Sequence, residues 1–366
     1  MTRREFIGAL GSSALMAGCE IEDVERLVDD ARTDARIGVL ANTAIEWKDS
    51  TGPFVKALRY FRQEGVDAVV IAGGATLNGY KDQVEVLKAA WSSVFGNAAS
   101  TRLILDEGRH EVNGFAFGVS PKRPFEKCEV LTFHGTGRRA LTNEMWFHDA
   151  ENHSVYAGSM SGVVLSAGYE HAGGISDGKA TVSATQGLLV SVYAKEIRIR
   201  RLDFAQSGPK DGRRLGRNFV YAEDVADELV LDRQTLSATS PAAGTPEFWD
   251  DTRLQAIAGY DRGRPVVTLR WPHVLKRFRG TRAFRYEVGL HVLPPGETVP
   301  HAPIARRYVL TRNFHLSEDR DLDAVSCQFD RKALDEVRKQ HPALVITVTP
   351  VSSLGARGKA IVLKLP

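Results

Sequence analysis

The sequence predicts a chain in two parts, an α/β domain over residues 36–215 and an all-β sandwich over residues 251–366, joined by a linker over 216–250. Three observations carry this expectation. Short continuous apolar runs alternate with helix-spaced segments in the first part, the pattern of a sheet covered on both faces. From Glu129 onward the helical spacing gives way to strand-like runs. Past residue 250 about seven such runs follow one another, most of them divided by turn residues, which is the spacing of an immunoglobulin or fibronectin sandwich. With 366 residues, 43% of them hydrophobic, the chain can fill more than one core.

The N-terminus reads as a targeting signal. Thr2-Arg3-Arg4-Glu5-Phe6-Ile7 sets a twin arginine before an apolar stretch, Gly8 to Ala17, that is too short to span a bilayer. Leu15-Met16-Ala17-Gly18-Cys19 resembles a bacterial lipobox, with Met16 unusual at its position and Cys19 the residue to be lipidated. Residues 1–19 are therefore expected to direct twin-arginine export and leave a membrane-anchored lipoprotein or periplasmic protein. Cys128 and Cys327 lie far apart, so neither a disulfide framework nor a cysteine metal site is expected. The net charge of +3 is small and its basic residues are scattered, which argues against a nucleic-acid partner.

The elements follow in order. Residues 20–35 are acidic, with Ile21, Val24 and Leu27 at helical spacing, and read as a tether. Arg36 to Leu40 is a strand. Phe54, Val55, Leu58 and Phe61 make Gly52 to Glu64 a helix, Ala68 to Ala72 a second strand, Asp82 to Phe95 a second helix and Arg102 to Leu105 a third strand. Gly187 to Tyr193 and Glu196 to Phe204 flank the short turn Ala194-Lys195 and read as a hairpin. The clearest strands of the last part are Pro265 to Trp271, Arg282 to Val292, Tyr308 to Leu316, Ala324 to Phe329, Leu344 to Thr349 and Ala360 to Leu365. Trp271 and Tyr286 are expected in their core.

Five segments in order, "RIGVLANTAI", "VDAVVIAGGATLNG", "LDEGRHEVNG", "LTFHGTGRRALTNE" and "SVYAGSMSGV", followed by "QGLLVSVYAKEIRIRRLDF", resemble the calcineurin-like metallophosphoesterase family, in its exported subgroup with a C-terminal β-sandwich. The resemblance implies a four-layer αββα sandwich. It also implies two divalent ions such as Mn, Fe or Zn, bound at strand C-termini by Asp-x-His, Gly-Asp, Gly-Asn-His-Asp/Glu, a further histidine and Gly-His-x-His.

Carried over residue by residue, the ligand positions hold other groups. Asp-x-His falls on Asn42-Thr43-Ala44, and the aspartate of Gly-Asp falls on Gly74. Arg109 stands for the metal-binding asparagine, and Thr136 and Arg138 stand for the two histidines. His110 keeps the place of the family's catalytic acid as a vestige. The short stretch from Glu111 to His134 carries no counterpart of the further histidine, and His134 is offset by one position. No metal cofactor is expected from this set.

Two functions are weighed. The first is a pseudoenzyme, a lipid-anchored binding protein whose cleft takes an anionic or phosphorylated small molecule, cradled by Arg109, Arg138 and Arg139 with the amides of Gly135 and Gly137. The second is a residual metal-dependent or rearranged hydrolase around His110, with Asp106 or Glu107. General acid–base groups alone give ~10² to 10⁴ in rate, far below what a phosphate ester demands. His148, Asp149, Glu151 and His153 read as a solvated loop, and Ser159 and Ser161 as a tight turn.

Overall fold

The computed structural model describes residues 33–96, 100–106, 132–134, 148–149, 154–204 (except 166, 172, 173 and 183), 222–224, 228–238, 245–274, 283–293, 302–311 and 324–365 (except 342). Cys19, Arg109, His110, Gly135, Thr136, Gly137, Arg138 and Arg139, all expected at functional positions, lie outside them, as do Glu107, Glu151 and His153. Among the described residues no helix is long and apolar enough to cross a membrane.

The fold is a mixed α/β sheet with further antiparallel sheets. It opens with β1 (Thr33–Leu40), α1 (Gly52–Glu64), β2 (Ala68–Ala72), α2 (Lys81–Phe95) and β3 (Arg102–Asp106). Seven short strands follow: β4 (Thr132–His134), β5 (His148–Asp149), β6 (Ser154–Tyr156), β7 (Val163–Val164), β8 (Glu170–His171), β9 (Gly174–Ile175) and β10 (Thr181–Val182). A hairpin of β11 (Gln186–Tyr193) and β12 (Glu196–Asp203) completes the centre of the main sheet, and β13 (Glu223–Asp224) and β14 (Leu229–Asp232) both pair with β12.

β1 lies between a parallel neighbour, β2, and an antiparallel one, β11, in the order β13-β12-β11-β1-β2-β3. Its side chains alternate between two cores, as a period of two requires. Leu40 joins Phe54, Leu58, Phe61 and Leu87 beneath the helices. Val39 joins Val155, Tyr169, Leu188 and Val190 on the other face. The helices thus cover one face. On the other, among the described residues, the sheet packs on the 154–184 segment, on Leu236 and on Phe284 and Leu310. The stretch 216–250, expected as linker, supplies β13 and β14, so the sheet runs past residue 215.

The C-terminal part contains β15 (Gln255–Asp261), β16 (Arg264–Pro272), β17 (Arg285–Val292), β18 (Ala305–Leu310), β19 (Ala324–Asp330), α3 (Arg331–Gln340), β20 (Leu344–Val351) and β21 (Ile361–Leu365). They form sheets β15-β16-β19 and β18-β17-β20-β21, and Leu269, Trp271, Cys327 and Phe329 of the first share a core with Tyr286, Val288, Ile346 and Val348 of the second. Trp271 meets Tyr286 edge-on at 5.4 Å, as core residues. The expectation of an all-β unit is corrected by α3. Asp330 accepts a hydrogen bond from the Ala333 amide as its N-cap, and Leu334 anchors the helix in the core.

The segment around β8 docks on the free edges of both C-terminal sheets. The Tyr308 amide on β18 donates to the Gly168 carbonyl, and the Gln328 amide on β19 donates to Glu170 Oε1. Tyr169 stacks on Tyr308 with ring centroids 5.0 Å apart.

At Gly38 the Phe61 ring lies against the β1 backbone so closely that an added Cβ would stand 2.5 Å from it. Phe61 is wedged edge-on between Tyr60 and Phe204 and has nowhere to retreat. Gly38→Ala is expected to cost about 1–3 kcal/mol, read as a lower urea midpoint with an unchanged slope.

Candidate functional site

The C-terminal ends of β1 and β2 meet the start of β11 and the end of β12 at one rim of the main sheet, where Leu40 pairs with Gly187 and Gln186 with Asp203. Beyond the rim, residues 41–45 and 73–77 continue side by side. Asn42 N–H donates to the Gly73 carbonyl at 3.0 Å, Ala44 N–H to Gly74 at 3.0 Å, and Ile45 N–H to Ala75 at 3.2 Å. Thr43 Oγ1 adds a bond of 2.6 Å to the Ala75 carbonyl.

Four residues of this crossing are in the left-handed region: Asn42 at φ 49°, Ala44 at 46°, Gly73 at 76° and Gly74 at 62°. Glycine takes that conformation freely and asparagine tolerates it, but alanine does so at a cost of about 1–2 kcal/mol. Backbone strain is therefore held at the strand end where the carried-over Asp-x-His pattern lies.

The Asn42 side chain is committed. Its Nδ2 donates to Ser159 Oγ at 3.0 Å and to Ser161 Oγ at 2.9 Å. The 159–161 turn is itself stitched to the sheet, because Met160 N–H donates to the Ala41 carbonyl and Gln186 N–H to the Ser159 carbonyl. Ser159 is fully buried, and its oxygen also receives the amides of Ser161 at 3.4 Å and Gly162 at 3.2 Å. Three N–H groups on one hydroxyl oxygen engage its lone pairs, which suppresses any nucleophilic use of it.

Gly74 stands against Asn42. A Cβ there would lie 3.1 Å from Asn42 Cα and 3.2 Å from its Oδ1. Of the ligand positions carried over by resemblance, Asn42, Ala44 and Gly74 thus fall together, offering an amide, a methyl group and no side chain. Paired dications require carboxylate and imidazole donors, and these three do not fit them. Among the described residues no cluster of three His, Cys, Asp or Glu groups could hold a metal.

Other polar groups at this rim were not singled out by the motifs. Gln186 is fully buried and its Oε1 accepts from the Ser159 amide at 3.4 Å. Asp203, also buried, accepts from Thr185 Oγ1 at 2.7 Å. Burial draws the Lys56 ammonium below its ordinary value, and the nearby Asp203 charge opposes that shift. The signal for these groups was positional, since each lies at or next to the rim end of β11, β12 or α1.

No family model and no curated protein matches the chain. Among solved structures it is similar to a conserved uncharacterized protein of Streptococcus pneumoniae TIGR4, described as a predicted phosphoesterase. That match has a TM-score of 0.27 and 9% identity, and covers 54% of this chain and 98% of the other. A superposition that loose carries no argument about fold or activity.

Asn42→Ala removes two side-chain hydrogen bonds and places a second alanine in the left-handed region, so it is expected to lower stability by about 2–4 kcal/mol. Ala44→Gly relieves strain and is expected to raise stability by about 1 kcal/mol. Urea titration of both variants reads the opposite signs.

Proposed function

We propose that this protein is a metallophosphoesterase-like pseudoenzyme: a phosphoesterase scaffold in which a neutral hydrogen-bonded plug stands where the family holds its two metals, and which binds a ligand instead of hydrolysing one. The observation that carries this is the Asn42 amide shared between Ser159 and Ser161. With its nitrogen turned to the two hydroxyls, Asn42 could offer a cation only its neutral Oδ1, Ala44 offers no ligand atom, and Gly74 cannot gain a carboxylate without displacing Asn42; one uncharged oxygen in place of carboxylate and imidazole ligands does not hold two dications.

The ligand class is an anion or a phosphorylated small molecule. Arg109, Arg138 and Arg139, with the amides of Gly135 and Gly137, are the groups proposed to hold it, since guanidinium forks and glycine-flanked amides both favour anions. The C-terminal unit is proposed to be an immunoglobulin- or fibronectin-like sandwich, a reading supported by the three-plus-four division of its described strands around one core. Export by the twin-arginine route and lipidation at Cys19 would hold the protein at a membrane surface.

The test is metal analysis of protein purified without chelator and then equilibrated with excess Mn and Zn, alongside hydrolysis of a chromogenic phosphodiester and thermal melts in inorganic phosphate. The expected outcome is far less than one ion per chain, no turnover, and a melting temperature that climbs with phosphate. Phosphate at a hundred times its dissociation constant would add about 2.7 kcal/mol. Two ions per chain with turnover would overturn the proposal.

A further inference from the structure

The two described sheets of the C-terminal sandwich have four edges, β15, β19, β18 and β21, and three of them are guarded. Gly168 and Glu170 bond to the edges of β18 and β19. β21 is only five residues long and turns Lys364 to solvent, with the exposed Lys359 just ahead of it. Charge and brevity of this kind keep an edge from pairing with another chain.

β15 has neither safeguard. Its seven residues, QAIAGYD, carry no charge before Asp261 and no proline. Among the described residues only β16 pairs with it, and Ile257 is 49% exposed and Tyr260 78%. Arg262 at φ 47° and Gly263 at 78° form the left-handed pair of a two-residue hairpin loop closed by Asp261 and Arg264. The closing pair of such a loop exchanges hydrogen bonds across the hairpin, and the bonding alternates from there. Gln255, Ile257, Gly259 and Asp261 therefore bond inward to β16, while Ala256, Ala258 and Tyr260 turn their N–H and C=O groups outward.

We propose that β15 is a pairing edge for a second copy of this chain, the two strands running antiparallel across a two-fold axis at Ala258. About that point the strand is complementary to itself. This register pairs all seven residues and sets the outward groups of Ala258 against those of the partner's Ala258, and those of Tyr260 against those of the partner's Ala256. It also brings Ile257 beside the partner's Gly259, so each large side chain meets a small residue. Asp261 then lies opposite the partner's Gln255 and diagonal to the partner's Arg253, on the same face and within reach of a long side chain. Arg253 and Asp261 are both exposed, so an opposite-charge pair closes each end of the ladder. Each chain has one β15, and a two-fold contact of this kind closes at two copies.

The test is sedimentation equilibrium of the full chain from micromolar to millimolar concentration, with amide hydrogen exchange at both ends of that range. A monomer–dimer equilibrium that stops at two chains is expected. Protection at Ala256, Ala258 and Tyr260 is expected to rise several-fold with concentration, while Ile257 and Gly259, already bonded to β16, rise far less. Ala258→Pro removes one outward N–H, a change an edge strand tolerates, and is expected to abolish the dimer with the β1 amides as protected as before. Arg253→Asp and Asp261→Arg each set like charges at the ladder ends and are expected to weaken dimerisation several-fold, and the two together to restore it. A monomer at every concentration, species larger than the dimer, a dimer that survives Ala258→Pro, or a double variant that fails to recover would each overturn the proposal. So would protection of the three outward amides that does not depend on chain concentration, the result expected if another segment of the same chain or a foreign peptide occupies the edge. Should Ala258→Pro lose β1 protection, the charge-reversal series decides by the same criteria.

Discussion

The central constraint on this structure is the double pairing of β1. A strand hydrogen-bonded to a parallel neighbour on one side and an antiparallel one on the other has no freedom of register, and its side chains must divide between two cores. Val39 and Leu40, adjacent in sequence, belong to different cores for this reason. The same constraint aims the end of the strand. Once Leu40 is fixed opposite both Ile71 and Gly187, Asn42 must emerge beside Gly73 and Gly74 and within reach of the Ser159 turn.

What β1 delivers there is a neutral network on a strained backbone. A carboxylate at a metal site is stabilised by the ion it binds, whereas the uncharged Asn42 amide needs no ion and places both its N–H groups on hydroxyl oxygens. Such a network holds the crossing together without an external charge, and the cost of left-handed Asn42 and Ala44 is offset by the backbone bonds to Gly73 and Gly74. Gly74 fits the same logic. The side chain that would crowd Asn42 is the one that is missing.

Legibility in the sequence followed the range of the interactions. The bounds of α1 could be read as Gly52 to Glu64 because Phe54, Leu58 and Phe61 repeat at helical spacing and Gly65 ends the helix in the left-handed region. α3 was missed because RKALDEVRKQ buries little beyond Leu334 and sits among strands whose count already sufficed for a sandwich. β14 was missed because LVLD is short and its partner, β12, lies across a long glycine-rich stretch. At the site, motif order placed Asn42 near Gly74. Ser159 and Ser161 were read as a turn, and nothing local in GSMSG could announce that its hydroxyls receive an amide from the end of β1. The left-handed Ala44 leaves no trace in sequence at all.

The docking of residues 168–170 on β18 and β19 has a further implication. Each of these strands ends its own sheet, and an open strand edge is a template for pairing with another chain. By accepting the Tyr308 and Gln328 amides, Gly168 and Glu170 occupy one bonding position on each edge. On these two edges the sandwich is thereby shielded by its own neighbour, while β15 and β21 end the same sheets on their other sides. Cut from that neighbour, it would carry two more uncovered rims and a greater tendency to polymerise.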